Sequence, residues 1–232
     1  MPIPLARRTL LRLALLAAPL LAVSGRDALA SGEQQRLVDQ SRLVVEEFLD
    51  NPDYTKMRVY VQNAYGILVV PDLLKGGFIV GGQYGTGVML ARDPQTGLWS
   101  EPAFFDVYGG SLGLQIGGQT MDMVFTLMNQ GAIDKMISAR FKLGADASGA
   151  LGPVGAGAGV ATTIRFGEDV YVFSRNKGLY GGLSVDGTVI VPKNEWTATY
   201  YGQPYSADQI VRQRAIPAQP GTAELRNVLA RF

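Results

Sequence analysis

Neither cysteine nor histidine occurs anywhere in the 232 residues. Those absences exclude disulfides, zinc fingers, iron–sulfur clusters, thiol catalysis, histidine-based triads and histidine metal sites. Charge is sparse and balanced, with 21 Lys and Arg against 20 Asp and Glu, so no net field draws the chain to nucleic acid. Long apolar runs are missing too: the run Leu13 to Val23 has 11 residues, short of the roughly 20 that a spanning helix needs. What remains is 47% apolar, enough for a real core and for one domain, at most two. The 29 glycines follow no Gly-X-Y period, which rules out collagen and points to strands joined by tight turns.

The N-terminus reads as an address. Arg7, Arg8 and Arg12 precede the apolar run, and Ala28-Leu29-Ala30 stands before Ser31, the pattern of a secretory signal cleaved after Ala30. Arg7-Arg8-Thr9-Leu10-Leu11-Arg12 also resembles a twin-arginine signal, with the general secretory route as the alternative. No Cys follows the run to carry a lipid anchor. Residues 1–30 hold four Arg and one Asp, so the remainder has 17 basic and 19 acidic residues, a net charge of −2. Binding to anionic surfaces must then use a local patch. The expected location is the periplasm.

From Glu33 to Leu49, Leu37, Ser41, Val44, Val45 and Phe48 mark one face of an amphipathic helix. Its polar side carries Glu33, Asp39, Glu46 and Glu47 against Arg36 and Arg42, which favours packing on the domain's own sheet over a membrane-surface role. Asn51-Pro52 predicts a cap and first turn for a second, shorter helix. Strands are then expected at 67–70, 78–80, 87–90, 104–108, 112–116 and 123–128, with a helix over Ala132 to Arg140. Further strands are expected at 170–174, 179–185, 188–191 and 197–201, with Asp186-Gly187 as a hairpin turn. Ser206-Ala207-Asp208-Gln209 is a capping box opening a helix to about Arg214. Residues 217–221 read as a linker, and Leu225, Val228, Leu229 and Phe232 as a terminal amphipathic helix. Gly-Gly pairs recur at 76, 81, 109, 117 and 181, which a worn internal duplication or close strand approach at barrel corners explains. The fold class is α+β: a mainly antiparallel curved sheet or small barrel with helices at the N-terminal and C-terminal ends. Residues 31–215 form the domain, followed by the linker and terminal helix.

Motifs that suggest chemistry fail on their partners. Gly109-Gly110-Ser111-Leu112-Gly113 matches a nucleophile elbow, but the chain has no histidine to act as base. Ser174-Arg175-Asn176-Lys177 matches Ser-x-x-Lys without the accompanying signatures. The glycine clusters lack the Gly-x-Gly-x-x-Gly order, and there is no Gly-Lys dipeptide for a phosphate loop. The expectation is a protein that is not an enzyme and needs no cofactor or metal.

Ala64-Tyr65-Gly66-Ile67-Leu68-Val69, Lys75-Gly76-Gly77-Phe78-Ile79-Val80-Gly81-Gly82, Gly85-Thr86-Gly87-Val88 and Gly97-Leu98-Trp99-Ser100-Glu101-Pro102 occur in that order. Gly113-Leu114-Gln115-Ile116-Gly117, Gly152-Pro153-Val154-Gly155 and Lys177-Gly178-Leu179-Tyr180-Gly181-Gly182 follow. In sequence and order these seven blocks resemble the SYLF domain family, over about residues 33 to 213. The resemblance implies a non-enzymatic binding module. Eukaryotic members are similar to endocytic adaptors that bind phosphoinositides and actin filaments, and exported bacterial members are associated with phospholipid. This chain departs in its acidic first helix, and actin belongs to the family label alone.

A phospholipid or membrane surface is therefore the expected partner, with an envelope protein as the alternative and no nucleic acid. The candidate residues are Lys135, Arg140, Lys142, Arg175 and Lys177, with Trp99, Tyr180, Trp196 and Tyr201 as apolar contributors. At about 1 kcal/mol per basic residue, five charges give roughly 5 kcal/mol, a dissociation constant of about 0.1–1 mM. An apolar contribution is needed as well.

Overall fold

The computed structural model describes residues 21–78, 80–112, 117–138, 140–151, 168–176 and 187–232. Helix α1 (Leu21–Asp50) leads through a 3-10 turn (Pro52–Tyr54) to α2 (Met57–Asn63). Four long strands follow: β1 (Gly66–Phe78), β2 (Val80–Ala91), β3 (Ala103–Leu112) and β4 (Gly117–Leu127). Then come α3 (Gln130–Ser138), β5 (Phe141–Lys142), β6 (Gly149–Leu151), β7 (Val170–Asn176) and β8 (Val189–Pro192). Helices α4 (Asn194–Tyr201), α5 (Ala207–Val211) and α6 (Ala223–Leu229) close the chain, with a 3-10 turn at Pro220–Thr222 before α6.

The eight strands make one sheet in the order β5-β8-β3-β2-β1-β4-β7-β6. All neighbours are antiparallel except β6 and β7. The outermost strands are only two and three residues long and follow each other in sequence, joined through a Leu143–Ala147 bridge.

Alternation along each strand sends side chains to two cores. Leu68, Val70, Met89, Phe105, Val107, Met123 and Phe125 face inward, where Ile133, Met136, Ile137, Ile210 and Val211 of α3 and α5 fill the curl. Ile67, Val69, Val88, Leu90, Phe104, Val124 and Phe173 face outward beneath α1, α2 and α6. A sheet apolar on both faces explains the unbroken Ile67–Val70 run.

Helix α1 buries Leu37, Val38, Val44, Val45, Phe48 and Leu49 against the sheet, so its apolar stripe is occupied within the domain. Ser41, in the middle of that stripe, is buried and donates to the Leu37 carbonyl at 2.7 Å. Arg58 closes the helix by donating twice to the Leu49 carbonyl. The capping box forms as expected at Ser206. Helix α6 docks rather than frays, burying Leu225, Val228 and Leu229 in the outer core.

Two strand expectations are corrected. Residues 197–201 lie in α4: Trp196 and Tyr200, four apart, both pack edge-on against Phe104, and Gly202 stops the helix at φ 69°. The β-branched and aromatic residues there suggested a strand, but tertiary contact at helical spacing prevails. The runs at 67–70, 87–90 and 104–108 are parts of longer strands with glycines inside the ladder, whereas the run expected at 78–80 is no strand of its own: Phe78 ends β1 and Val80, its cross-strand partner, begins β2. The register of β1 shifts between Val69 and Leu74 against β2 and between Val70 and Leu73 against β4, a bulge in which Asp72 takes φ 50°. A Cβ at Gly87 would press into the Val69 carbonyl and the Val70 side chain, so glycine there permits close approach. Of the strand expected at 112–116, Leu112 ends β3 and 113–116 lie outside the described residues, as do the strand expected at 179–185 and Asp186. Gly187 takes φ 80°.

Candidate binding face

The helices cover only part of the outer sheet face, and the cross-strand register sorts that face into rows two residues, about 7 Å, apart. In the covered row Phe173 neighbours Val124, which pairs Val69, and Val69 pairs Val88, which faces Phe104. All are buried.

The next row is charged and internally neutralised. On β4 and β7, Asp122 pairs Arg175, whose guanidinium is 2.6 Å from the buried carboxylate and also bonds Glu47 of α1. Asp122 accepts the bulge amide of Asp72 at 3.1 Å. On β2 and β3, Thr86 pairs Asp106 and donates to it at 2.8 Å. Lys193 reaches the same carboxylate at 2.8 Å while lying 4.5 Å from the Trp196 ring. Tyr84 and Tyr108 also donate to Asp106, at 3.2 and 3.3 Å.

Burial disfavours the charge on Lys193, but its bonds to Asp106 and Tyr84 prevail and hold its pKa above the ordinary lysine value. Burial, followed by the Asp106 charge, raises the Tyr108 phenol. Lys193, Thr86, Tyr84 and Tyr108 all donate to the Asp106 carboxylate, which ties the cluster together. It fixes two aromatic rings, 5.2 Å apart, in one orientation.

Those rings belong to a third row that none of the described elements covers. Thr120, Leu74, Tyr84, Tyr108, Val189 and Lys142 are successive partners across six strands. Leu74 is 60% exposed, and Tyr84 and Tyr108 are each 43% exposed. At about 4.8 Å per strand, Leu74 to Lys142 spans about 19 Å. Beyond it lies a row of Gly118, Gly76, Gly82 and Gly110. Open space lies over Gly110. The face can bind a broad ligand by apolar and aromatic contact.

Of the residues picked out from the sequence, Lys142 sits in this exposed row and Trp196 supports it through Lys193. Arg175 lies in the charged row, held by two carboxylates, and in sheet order five strands separate it from Lys142. Lys135 donates to the Asp146 carbonyl at 2.5 Å. Arg140 is exposed and rims a cavity of about 460 Å³ with Asp134, Asp208 and Arg212. Trp99 is only 5% exposed, beneath the Arg92 guanidinium. Tyr201 donates to the Pro102 carbonyl at 2.6 Å, and burial raises its pKa. Lys177 and Tyr180 lie outside the described residues. Sequence reading missed Leu74, Tyr84, Asp106, Tyr108 and Lys193. The period-two patterns Tyr84-Thr86-Val88 and Phe104-Asp106-Tyr108 were the available signal.

The family described as "Ysc84: Las17-binding protein actin regulator" matches residues 108–232. The chain belongs to this Ysc84, or SYLF, family. The match runs from Tyr108, within β3, through α6, so it contains four of the six residues of the exposed row, Tyr108, Thr120, Lys142 and Val189, and the terminal helix. The chain is 32% identical over 160 residues to LAS seventeen-binding protein 3 of Saccharomyces cerevisiae, covering 68% of the chain and 34% of that relative. It is 30% identical over 172 residues to the same yeast's Protein YSC84, covering 73% of the chain and 36% of the relative. With SH3 domain-containing YSC84-like protein 1 of Xenopus laevis it shares 31% identity over 144 residues, 62% of the chain and 42% of the relative. The Ysc84-family chain thus spans about a third of the length of its yeast relatives.

Proposed function

We propose that this Ysc84-family domain is a non-enzymatic binding module that docks on phospholipid surfaces through the Leu74–Tyr84–Tyr108 row, with Lys142 at its end. The carrying observation is that these three large side chains stand exposed side by side while the two rows between them and the helices are covered or neutralised. Tyrosine rings suit the water–hydrocarbon boundary, where the ring is apolar and the hydroxyl stays wet. Burying one leucine and two tyrosines contributes about 5 kcal/mol and Lys142 about 1 kcal/mol. A sum of about 6 kcal/mol corresponds to a dissociation constant of tens of micromolar. The proposed setting is the cell envelope after export directed by residues 1–30.

Vesicle flotation tests this reading. Leu74→Ser combined with Tyr84→Ser should weaken binding to phosphatidylglycerol-containing vesicles about thirtyfold, the equivalent of roughly 2 kcal/mol. Because apolar contact dominates, affinity should change less than about threefold between 50 and 300 mM salt. A parent-like double variant would refute the assignment. The family description and the yeast relatives' names favour a second reading, a protein partner on the same face. Parent protein that fails to float with any vesicle would favour it.

A further inference from the structure

Four donors converge on one carboxylate beside the exposed row. Asp106 Oδ1 accepts from Lys193 and Thr86 at 2.8 Å and from Tyr84 at 3.2 Å, and its Oδ2 accepts from Tyr108 at 3.3 Å. Lys193 Nζ also lies 3.4 Å from the hydroxyl oxygens of Tyr84 and Thr86, so its three N–H groups face three acceptors. The Lys193 and Asp106 side chains are only 11% and 14% exposed.

These bonds decide what the row can offer a ligand. A tyrosine hydroxyl has one proton to donate. Tyr84 and Tyr108 both give theirs to Asp106, which leaves neither for a phosphate oxygen. Charge is settled in the same place, because Asp106 cancels Lys193. Lys142, at the end of the row, makes no ion pair among the described residues. It is the one cation the row presents. Lys193 is held back by Asp106 and not by reach: its four-carbon stem is long enough to carry the ammonium outward once the carboxylate charge is gone.

Resting on the phospholipid reading of this face, we propose that Asp106 sets its headgroup selectivity. Asp106 holds the Lys193 cation and both phenolic protons back from a docked surface, so that Lys142 alone favours anionic lipid. Flotation of the full chain with two kinds of vesicle tests this: phosphatidylcholine alone, and phosphatidylcholine mixed equally with phosphatidylglycerol. The parent should favour the mixed vesicles no more than about fivefold, the share of one cation. At about 50 mM salt, Asp106→Asn should raise affinity for the mixed vesicles about fivefold further and leave binding to phosphatidylcholine unchanged. The gain should shrink at about 300 mM salt, and adding Lys193→Met should cancel it. An Asp106→Asn variant with the parent's preference, or a gain that survives Lys193→Met, would overturn the selectivity role and leave the lipid reading standing. A parent that floats with neither vesicle would overturn both. A phenol titration followed by ultraviolet absorbance needs no lipid. After burial, the Asp106 charge raises the Tyr108 phenol, so Asp106→Asn should let one phenol ionise at lower pH than in the parent. An unchanged titration would overturn the hold of Asp106 on Tyr108. Should Asp106→Asn fail to fold, Lys193→Met alone decides, since it leaves Asp106 unopposed. It should reduce the preference for the mixed vesicles about fivefold, and an unchanged preference would overturn the proposal.

Discussion

Asp122 is fully buried, and Arg175 neutralises it while also bonding Glu47 of α1. Removing the cation leaves a desolvated carboxylate, so Arg175→Met should cost about 3 kcal/mol in urea unfolding. Adding Asp122→Asn should restore part of that loss, since the stranded charge is gone. A double variant less stable than the single one would show that Asp122 is held chiefly by its other contacts. Asp169 makes a different prediction. It accepts from the Ser148 amide and hydroxyl and from Asn129, joining the β6 and β7 segments to the start of α3. The Ser148 amide bond, then Asn129, holds its carboxyl below the ordinary aspartate value. A depressed carboxyl contributes stability above the unfolded pKa of about 4 and loses it as pH falls through the folded value. Thermal melts should therefore show Asp169→Asn narrowing its deficit to the parent as pH falls from about 5 towards 2. A deficit that stays constant would separate Asp169 from acid sensitivity.

The β1–β2 pair provides an internal comparison between glycines. Gly87→Ala would drive a methyl into the Val69 carbonyl and Val70, whereas the same change at Gly82 meets only the Gly109 carbonyl at 3.9 Å. The expected cost is about 1–3 kcal/mol at Gly87 and within about 0.5 kcal/mol at Gly82, measured by chemical denaturation. Equal costs would mean that strand entropy, not the bulge, governs these sites. This comparison also marks what was legible. Local signals were readable: the stripe of α1, the Ser206 capping box and the strand segments. The bulge that requires Gly87 arises from pairing between strands, and no local pattern announces it. Residues 197–201 misled because their side chains prefer strands in isolation, while Trp196 and Tyr200 have Phe104 as their partner. Lys193 was invisible as a site residue for the same reason, since Asp106 lies 87 positions away. The basic segments were visible as charge, but Glu47 and Asp122, which neutralise Arg175, come from distant elements.

At the scale of the whole molecule, the C-terminal residues complete the outer layer. Glu101 receives Gln219, Thr222 and Arg226, while Leu225, Val228 and Leu229 enter the core shared with α1. Gln35 of α1 donates to the Gly221 carbonyl at 2.7 Å, and Arg92 donates to a main-chain oxygen of Phe232 at 3.0 Å. These residues form a wall of the fold, and the family match extends through them. Truncation after Ala215 would expose three aliphatic side chains' worth of core, about 4.5–9 kcal/mol at 1.5–3 kcal/mol each. Domains of this kind hold only about 5–15 kcal/mol in total. The shortened chain should therefore lose most of its cooperative unfolding transition and bind a hydrophobic dye at pH 7, because α1 loses its neighbour before the inner core does. Leu225→Ala is the graded version and should cost about 2–4 kcal/mol without abolishing the transition. A truncated chain that melts like the parent would show that residues 216–232 dock without supporting the domain, and that 31–215 folds as a unit of its own.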